Sequence, residues 1–177
     1  MKVTSLKIPE IKLIEPEVFE DERGFFYESF NQKKFSEIIG QNITFVQDNH
    51  SKSKKGVLRG LHYQEEPFAQ SKLIRVVFGE IFDVAVDIRK NSKTYGQWLA
   101  EILSSENKKQ LYIPDGFAHG FLVISSEAEI LYKTTKFYSM KHERCIKYDD
   151  KKININWPHI SSDYILSSKD RQSQSLD

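Results

Sequence analysis

Short segments with the length and pattern of β-strands recur through most of this chain, and turn residues separate them. Apolar and polar residues alternate over residues 81–89, as they do in a strand with one buried face. Gly79 and Glu80 separate this segment from residues 71–78 and predict a hairpin. Residues 117–125 and 128–137 predict a further antiparallel pair. This many short strands predict an all-β sandwich or barrel.

One segment predicts a short helix that ends at Ile39. Phe35, Ile38 and Ile39 fall on one helical face. Asn31 is suited to cap the helix at its beginning, and Gly40 is suited to close it.

Composition narrows the class of protein. The 177 residues, of which 39% are hydrophobic, predict one globular domain over residues 1–177. The net charge of +1 argues against a nucleic-acid binder with a broad basic surface. The single cysteine, Cys145, excludes an intramolecular disulfide and a multi-cysteine zinc site. Because no apolar run is long enough for a secretory signal or a membrane span, we expect a cytoplasmic enzyme or binding protein.

Residues 56–64 place an imidazole among cations inside a strand pattern. His62 lies between two apolar neighbours, with Arg59 three residues before it and Lys72 ten after it. Imidazole is well matched to proton abstraction near neutral pH, and the cations suit an anionic substrate. The structural alternative is a buried histidine whose hydrogen bonds the backbone satisfies.

The histidine spacing does not predict a metal site. No two histidines have the HxH or HxxxH spacing of common metal sites. The five histidines are His50, His62, His119, His142 and His159.

Two further groups of polar residues allow both a structural and a functional interpretation. Arg23 and Arg59 each lie next to a glycine and suit a phosphate, although each could instead form a surface ion pair. Gln47 and Asn49 offer amide donors and acceptors, although the tripeptide that they form with Asp48 is typical of a turn.

Four residues in the second half of the chain are ambiguous in the same way. His119 follows a tight turn and is either a site residue or part of a hairpin corner. Tyr132 and Tyr138 are core residues, or else a proton donor and a stacking ring. Asp170 either lies in an exposed loop or orients the imidazole of His62.

Seven segments in a fixed order carry a resemblance to one family. They are residues 23–28, 47–51, 56–64, 70–76, 79–87, 114–121 and 168–170. Together they resemble the dTDP-4-dehydrorhamnose 3,5-epimerase family, whose members are isomerases. The resemblance implies a cupin-type jelly-roll barrel with a few short helices, which acts as a homodimer without a metal or other cofactor. The sequence departs from the family at Tyr148, where many relatives carry tryptophan, and at residues 52–55, which we interpret as a variable loop.

The resemblance also implies a reaction. The protein would epimerise dTDP-4-dehydro-6-deoxy-D-glucose at C3 and C5 to dTDP-4-dehydro-L-rhamnose, a step of dTDP-L-rhamnose biosynthesis. By the family pattern, His62 is the general base and Asp170 is its partner. Tyr132 is the general acid on the other face of the sugar, and Lys72 stabilises the enolate.

The same resemblance assigns substrate contacts. Arg23 and Glu28 would reach the site from the neighbouring subunit, and Tyr138 would stack on thymine. The remaining contacts would come from Gln47, Asn49, Arg59, Lys72, His119, Glu143 and Lys169.

Three other functions stay open at this point. One is a single-centre (3- or 5-) epimerase of a related 4-keto-sugar nucleotide, which could use the same base, acid and lysine. The second is a metal-dependent cupin oxygenase, against which the histidine spacing argues. The third is a sugar-nucleotide binding protein without activity. The presence of a base, an acid and a lysine together argues against it.

Overall fold

Two antiparallel sheets, one small hairpin and two short helices make up the computed structural model, which describes residues 1–160 and 163–176. Strands are numbered along the chain. The six-stranded sheet consists, in spatial order, of β1 (Lys2–Ser5), β2 (Lys12–Glu15), β10 (Gln110–Ile113), β7 (Lys72–Phe78), β12 (Glu127–Thr134) and β5 (Gln47–Lys54). The five-stranded sheet consists of β13 (Glu143–Cys145), β6 (Leu58–Gln64), β11 (Phe117–Val123), β8 (Glu80–Asp87) and β9 (Trp98–Ser104). The separate hairpin pairs β3 (Phe19–Asp21) with β4 (Gly24–Phe26).

The two large sheets pack face to face around the main apolar core. The six-stranded sheet contributes Ile74 and Leu111, and the five-stranded sheet contributes Ala85 and Phe121. The predicted all-β class is therefore confirmed. The opposite face of the five-stranded sheet is covered by the C-terminal segment, because Val84 and Val86 pack in a second cluster with Ile153, Trp157 and Leu176.

The two predicted strand pairs are wrong. Strand β7 pairs with β10 and β12, whereas β8 pairs with β11 and β9, so the chain crosses between sheets at Gly79. Strands β11 and β12 likewise lie in different sheets. Alternation shows which side chains of a strand share a face, but it does not show which strand is the hydrogen-bonded neighbour.

The predicted helix is confirmed, with both of its caps. Helix α1 spans Gln32–Ile39, and the Asn31 side chain accepts a hydrogen bond of 3.1 Å from the Lys34 backbone N–H. Gly40 adopts a φ of 71° and donates its backbone N–H to Ser36. Phe35 anchors the helix in an apolar cluster on the six-stranded sheet.

Residues 52–54 lie in strand β5, so the expectation of a variable loop is wrong for them. Strand β5 pairs with β12 over its whole length, and Lys52 forms ion pairs with Glu127 and Glu129. Gln47 and Asn49 also lie in this strand rather than in a turn. The strand contains no apolar residue, and so it lacks the signal by which strands are usually recognised.

The second helix, α2, is one turn long and spans Ser168–Arg171. Ser167 caps it by accepting a hydrogen bond from the backbone N–H of Asp170. Among the helices of the described residues, none has the length and apolar character needed to cross a membrane.

Candidate active site

His62 lies on the second strand of the five-stranded sheet, between two other side chains that can donate or bind protons. Its partner in β11 is His119, and its partner in β13 is Cys145. Residues directly opposite each other in antiparallel strands project from the same face. The sheet register therefore places the three side chains side by side.

The imidazole of His62 is held by a buried carboxylate. Its Nε2 lies 2.6 Å from Oδ1 of Asp170, and the Asp170 side chain is only 3% exposed. Helix α2 positions this carboxylate, because the hydroxyl of Ser167 donates to Oδ2 at 2.6 Å. The two residues are 108 positions apart in the sequence, and the folded chain brings them together.

The charge of Asp170 determines which nitrogen of His62 is basic. Burial raises the pKa of Asp170, but hydrogen bonds from His62 and Ser167 outweigh it and lower the pKa to about 2. The carboxylate is ionised at neutral pH and can only accept hydrogen bonds. His62 Nε2 is therefore the donor, and in the neutral ring the free electron pair is on Nδ1. Within the described residues, Nδ1 has no hydrogen-bond partner.

A second histidine and aspartate pair lies beside the first. His119 Nε2 is 3.0 Å from both carboxylate oxygens of Asp83, which is fully buried on β8. Burial lowers the pKa of His119, although the negative charge of Asp83 opposes this effect. Sequence reasoning missed Asp83 as a site residue. The available signal was weak, because Asp83 alternates with apolar residues in a strand that also contains Glu80 and Asp87; only its complete burial shows that it needs a partner.

Lys72 projects from the opposite sheet toward His62. It is the first residue of β7 and is 8% exposed, and its Nζ donates to the backbone oxygen of His62 at 3.2 Å. Burial lowers the pKa of Lys72 to about 8, against the opposing negative charges of Asp83 and Glu143. The ammonium form is thus held in a confined place with little solvation.

Tyr132 also comes from the six-stranded sheet, on β12, where it lies opposite Asn49 and Ile74. Burial raises the pKa of its hydroxyl, and the nearby charge of Arg59 opposes this. In residues 1–160 and 163–176, no group forms a hydrogen bond with that hydroxyl. A protonated, unpaired phenol is able to donate to a bound molecule.

A chain of polar contacts extends from Lys169 to the start of β5. Glu143 forms an ion pair with Lys169 and accepts a 2.8 Å hydrogen bond from the Tyr138 hydroxyl. The backbone N–H of Tyr138 donates to Gln47, whose side-chain amide donates to Asn49. Burial raises the pKa of Glu143, but the hydrogen bonds from Lys169 and Tyr138 lower it more, so Glu143 is ionised.

Arg59 and two serines of β5 form the next part of the site. The exposed Arg59 side chain donates from Nε to the Ser53 hydroxyl at 3.1 Å. The Ser51 hydroxyl is the only buried side-chain polar atom of the described chain without a hydrogen-bond partner. Sequence reasoning assigned no role to either serine.

Arg23 and Glu28 are not brought to this site within one chain. Arg23 lies in the β3–β4 hairpin, is 85% exposed and pairs with its neighbour Asp21. Glu28 is exposed and bonds to Lys34 and Asn31 near α1. In the described residues, neither side chain forms a hydrogen bond or ion pair with the residues around His62.

Comparison with known proteins identifies the family of this chain. Residues 5–177 match the family model of dTDP-4-dehydrorhamnose 3,5-epimerase. A dTDP-4-dehydrorhamnose 3,5-epimerase from Shigella flexneri is 61% identical over 98% of this chain and 95% of its own length.

Solved structures confirm the cupin-type jelly-roll fold. The dTDP-6-deoxy-D-glucose-3,5-epimerase of Legionella pneumophila, in complex with dTDP-4-keto-L-rhamnose, superposes with a TM-score of 0.96 and 51% identity, over 99% of this chain and 92% of that one. A 3'-monoepimerase from Streptomyces bikiniensis, in complex with dTDP-quinovose, superposes with a TM-score of 0.91 and 30% identity, over 97% of this chain and 86% of that one. From the family match and these identities, the chain belongs to the dTDP-4-dehydrorhamnose 3,5-epimerase family.

Proposed function

We propose that this enzyme epimerises dTDP-4-dehydro-6-deoxy-D-glucose at C3 and C5 to dTDP-4-dehydro-L-rhamnose, a step of dTDP-L-rhamnose biosynthesis. One observation carries the proposal: His62 of the five-stranded sheet, held by Asp170 of α2, contacts Lys72 of the six-stranded sheet, and Tyr132 of that same sheet also packs on the core between the sheets. A base, a cation and an acid are thereby available in the space between the two sheets.

The base is His62. The C4 ketone of the sugar acidifies the hydrogens on C3 and C5, and the free electron pair of Nδ1 takes one of them. The imidazolium that forms is stabilised by the ionised carboxylate of Asp170. General base catalysis of this kind contributes about 10²- to 10⁴-fold to the rate.

Lys72 stabilises the enolate. When the proton leaves, negative charge develops on the C4 oxygen, and a buried ammonium stabilises that charge more than it stabilises the neutral ketone. The ammonium is fixed in place by its hydrogen bond to the His62 backbone. No electron leaves or enters the substrate in this scheme, so the reaction needs no redox cofactor.

Tyr132 returns the proton from the other face of the sugar ring. His62 and Tyr132 belong to opposite sheets, and an inversion requires the acid and the base on opposite faces. Burial raises the pKa of Tyr132, which keeps the phenol protonated and ready to donate at neutral pH. The enolate carbon thus receives its proton on the face opposite the one that lost it.

The remaining polar residues bind the nucleotide. Arg59 and Lys169 supply positive charge for the diphosphate, and Tyr138 offers a ring that is 49% exposed for stacking on thymine. Binding of the diphosphate, remote from C3 and C5, holds the reacting carbons in place. Further substrate contacts are assigned to Gln47, Asn49, His119 and Glu143.

The enzyme acts as a homodimer in this proposal, with Arg23 and Glu28 completing the site of the neighbouring subunit. The hairpin that carries Arg23 exposes Phe19, Phe25 and Phe26, which are 58, 59 and 71% exposed. Large exposed aromatic residues on one small element favour a protein partner. We also propose that residues 1–177 function as one domain and that the enzyme acts in the cytoplasm on a soluble nucleotide sugar.

Inversion of a single centre is the second candidate, because the Streptomyces bikiniensis 3'-monoepimerase has the same fold. The identities favour two centres: the 3,5-epimerases of Shigella flexneri and Legionella pneumophila are 61 and 51% identical, against 30% for the monoepimerase.

Proton NMR of the purified protein with dTDP-4-dehydro-6-deoxy-D-glucose in D₂O separates the candidates. We expect deuterium at both C3 and C5. Incorporation at one carbon would instead establish a single-centre epimerase. A folded protein that exchanges neither hydrogen would contradict both proposals.

A further inference from the structure

Cys145 has no part in the proposed reaction, yet its thiol lies beside the His62–Asp170 pair. Its Sγ is 3.6 Å from Oδ1 of Asp170, and the register of β13 on β6 places it opposite His62. The three potential ligand atoms all lie within 4.8 Å of one another. No other such group of three occurs in residues 1–160 and 163–176.

We propose that His62, Cys145 and Asp170 form a binding site for a thiophilic divalent cation such as Zn²⁺, and that the bound cation switches the enzyme off. One nitrogen, one sulfur and one carboxylate oxygen are the donor set of zinc, with water in the fourth position. Mg²⁺ and Ca²⁺ prefer oxygen ligands alone, and so the site discriminates against them.

The distances suit a tetrahedral ion after a small movement. Zinc bonds of about 2.0–2.3 Å require donor atoms that are roughly 3.3–3.7 Å apart. The 3.6 Å separation of Cys145 Sγ and Asp170 Oδ1 already fits this range. The 2.6 Å separation of His62 Nε2 and Asp170 Oδ1 must widen by less than an ångström. The His62 side chain is 29% exposed, so the ring is not fully enclosed and has room to turn.

Metal binding removes the base without breaking the fold. The proton on His62 Nε2 moves through solvent to Nδ1, and the thiol proton of Cys145 passes to the solvent. The cation then bonds to Nε2, to Oδ1 of Asp170 and to the thiolate. The imidazole remains neutral, but its only free electron pair is on the metal, so Nδ1 can no longer accept a proton from the sugar. This second half of the inference rests on the proposed function of His62.

The surrounding charges allow a cation to enter. The ammonium groups of Lys72 and Lys169 repel the cation. The carboxylates of Asp83 and Glu143 attract it and offset that repulsion. The carboxylate of Asp170 and the newly formed thiolate of Cys145 neutralise the two charges of the ion.

Cobalt absorption and zinc inhibition test the two halves separately. Co²⁺ added to the wild-type protein should produce the near-ultraviolet charge-transfer band of a thiolate ligand. Zn²⁺ should inhibit epimerisation, EDTA should restore it, and Mg²⁺ should have no effect. In Cys145→Ser and Cys145→Ala we expect no band, and a zinc concentration for half inhibition more than about tenfold higher. Without metal, both variants should stay folded and active, and inhibition of each is measured relative to its own rate without metal.

His50→Ala is the matched control. It removes an exposed histidine that pairs with Glu129, and it should leave both the band and the inhibition unchanged.

The cobalt band and the zinc inhibition distinguish failure of the metal site from failure of the proposed function. Absence of the band in the wild type, or an equal band in folded Cys145→Ala, would overturn the site. A band without inhibition would overturn the switch and count against His62 as the base. The absorption measurement decides the site even for a preparation that lacks epimerase activity.

Discussion

The Nζ atom of Lys72 donates a 3.2 Å hydrogen bond to the backbone oxygen of His62, and this contact joins the two sheets at the centre of the site. Lys72 begins β7 in the six-stranded sheet, and His62 lies in β6 of the five-stranded sheet. The contact fixes the ammonium relative to the backbone of the residue that carries the imidazole. The position of the cation relative to the base is therefore a property of how the sheets pack.

Lys72→Met should lower kcat by about 10²- to 10³-fold, because the enolate oxygen loses its cation. The melting temperature should stay close to that of the wild type, because burial of the lysine charge costs free energy that methionine does not. Lys52→Met, which removes an exposed lysine of β5, is the control and should keep full activity. Near-normal turnover in folded Lys72→Met would count against the proposed role.

Asp170→Asn should reduce kcat by about 10³- to 10⁴-fold while the protein remains folded. An amide is able to donate a hydrogen bond to Nε2, which would move the imidazole proton to Nδ1 and block the base. Steady-state kinetics and circular dichroism measure the two effects. A variant with wild-type kcat would show that the carboxylate does not set the tautomer.

Tyr132→Phe should impair product formation more than hydrogen exchange. Removal of the sugar proton by His62 does not need the phenol, whereas delivery of a proton to the opposite face does. Deuterium exchange into recovered substrate, measured by NMR beside product formation, gives the ratio. An equal loss of both rates would assign Tyr132 some other role.

Asp87→Asn should reduce stability at neutral pH, and the difference from the wild type should shrink as the pH falls. Burial raises the pKa of Asp87, but hydrogen bonds from Arg89, Ser92 and Thr94 lower it to about 2. Since the folded pKa lies below the unfolded value, the stabilisation is complete above about pH 4 and is lost as the pH falls toward 2.

Thermal unfolding of Asp87→Asn and the wild type at a series of pH values checks this dependence. Glu15→Gln, at a partly exposed ion pair with Lys2, is the control, and it should show little change at any pH. A difference for Asp87→Asn that stays constant from pH 7 to pH 2 would contradict the prediction.

Gly79→Ala should destabilise the fold more than Gly40→Ala. Both glycines have positive φ angles, of 76° and 71°, and a side chain there costs about 1–2 kcal/mol. Only at Gly79 would a Cβ also collide with a backbone oxygen, that of Glu127, whereas Gly40 faces open space. Urea unfolding of both variants measures the difference, and equal destabilisation would show that the crossing between sheets tolerates the added carbon.

Local patterns predicted the parts of the fold that depend on neighbouring residues. Helix α1, its cap at Asn31 and its closing residue Gly40 follow from side-chain chemistry within a few positions, and the structure confirms them. The alternation that placed Val84 and Val86 on one face of β8 is confirmed in the same way. The resemblance of seven ordered segments pointed to the family, to which the full-length matches assign the chain.

Tertiary structure alone decided which strands are neighbours and which side chains meet. Pairing of β7 with β12 rather than with β8, and the contacts of Asp83 with His119 and of Cys145 with Asp170, join distant parts of the chain. A sequence states which side chains of a strand share a face, because that follows from alternation along the strand itself. The choice of partner strand depends on how two whole sheets fill the space between them, and only the packed structure contains that information.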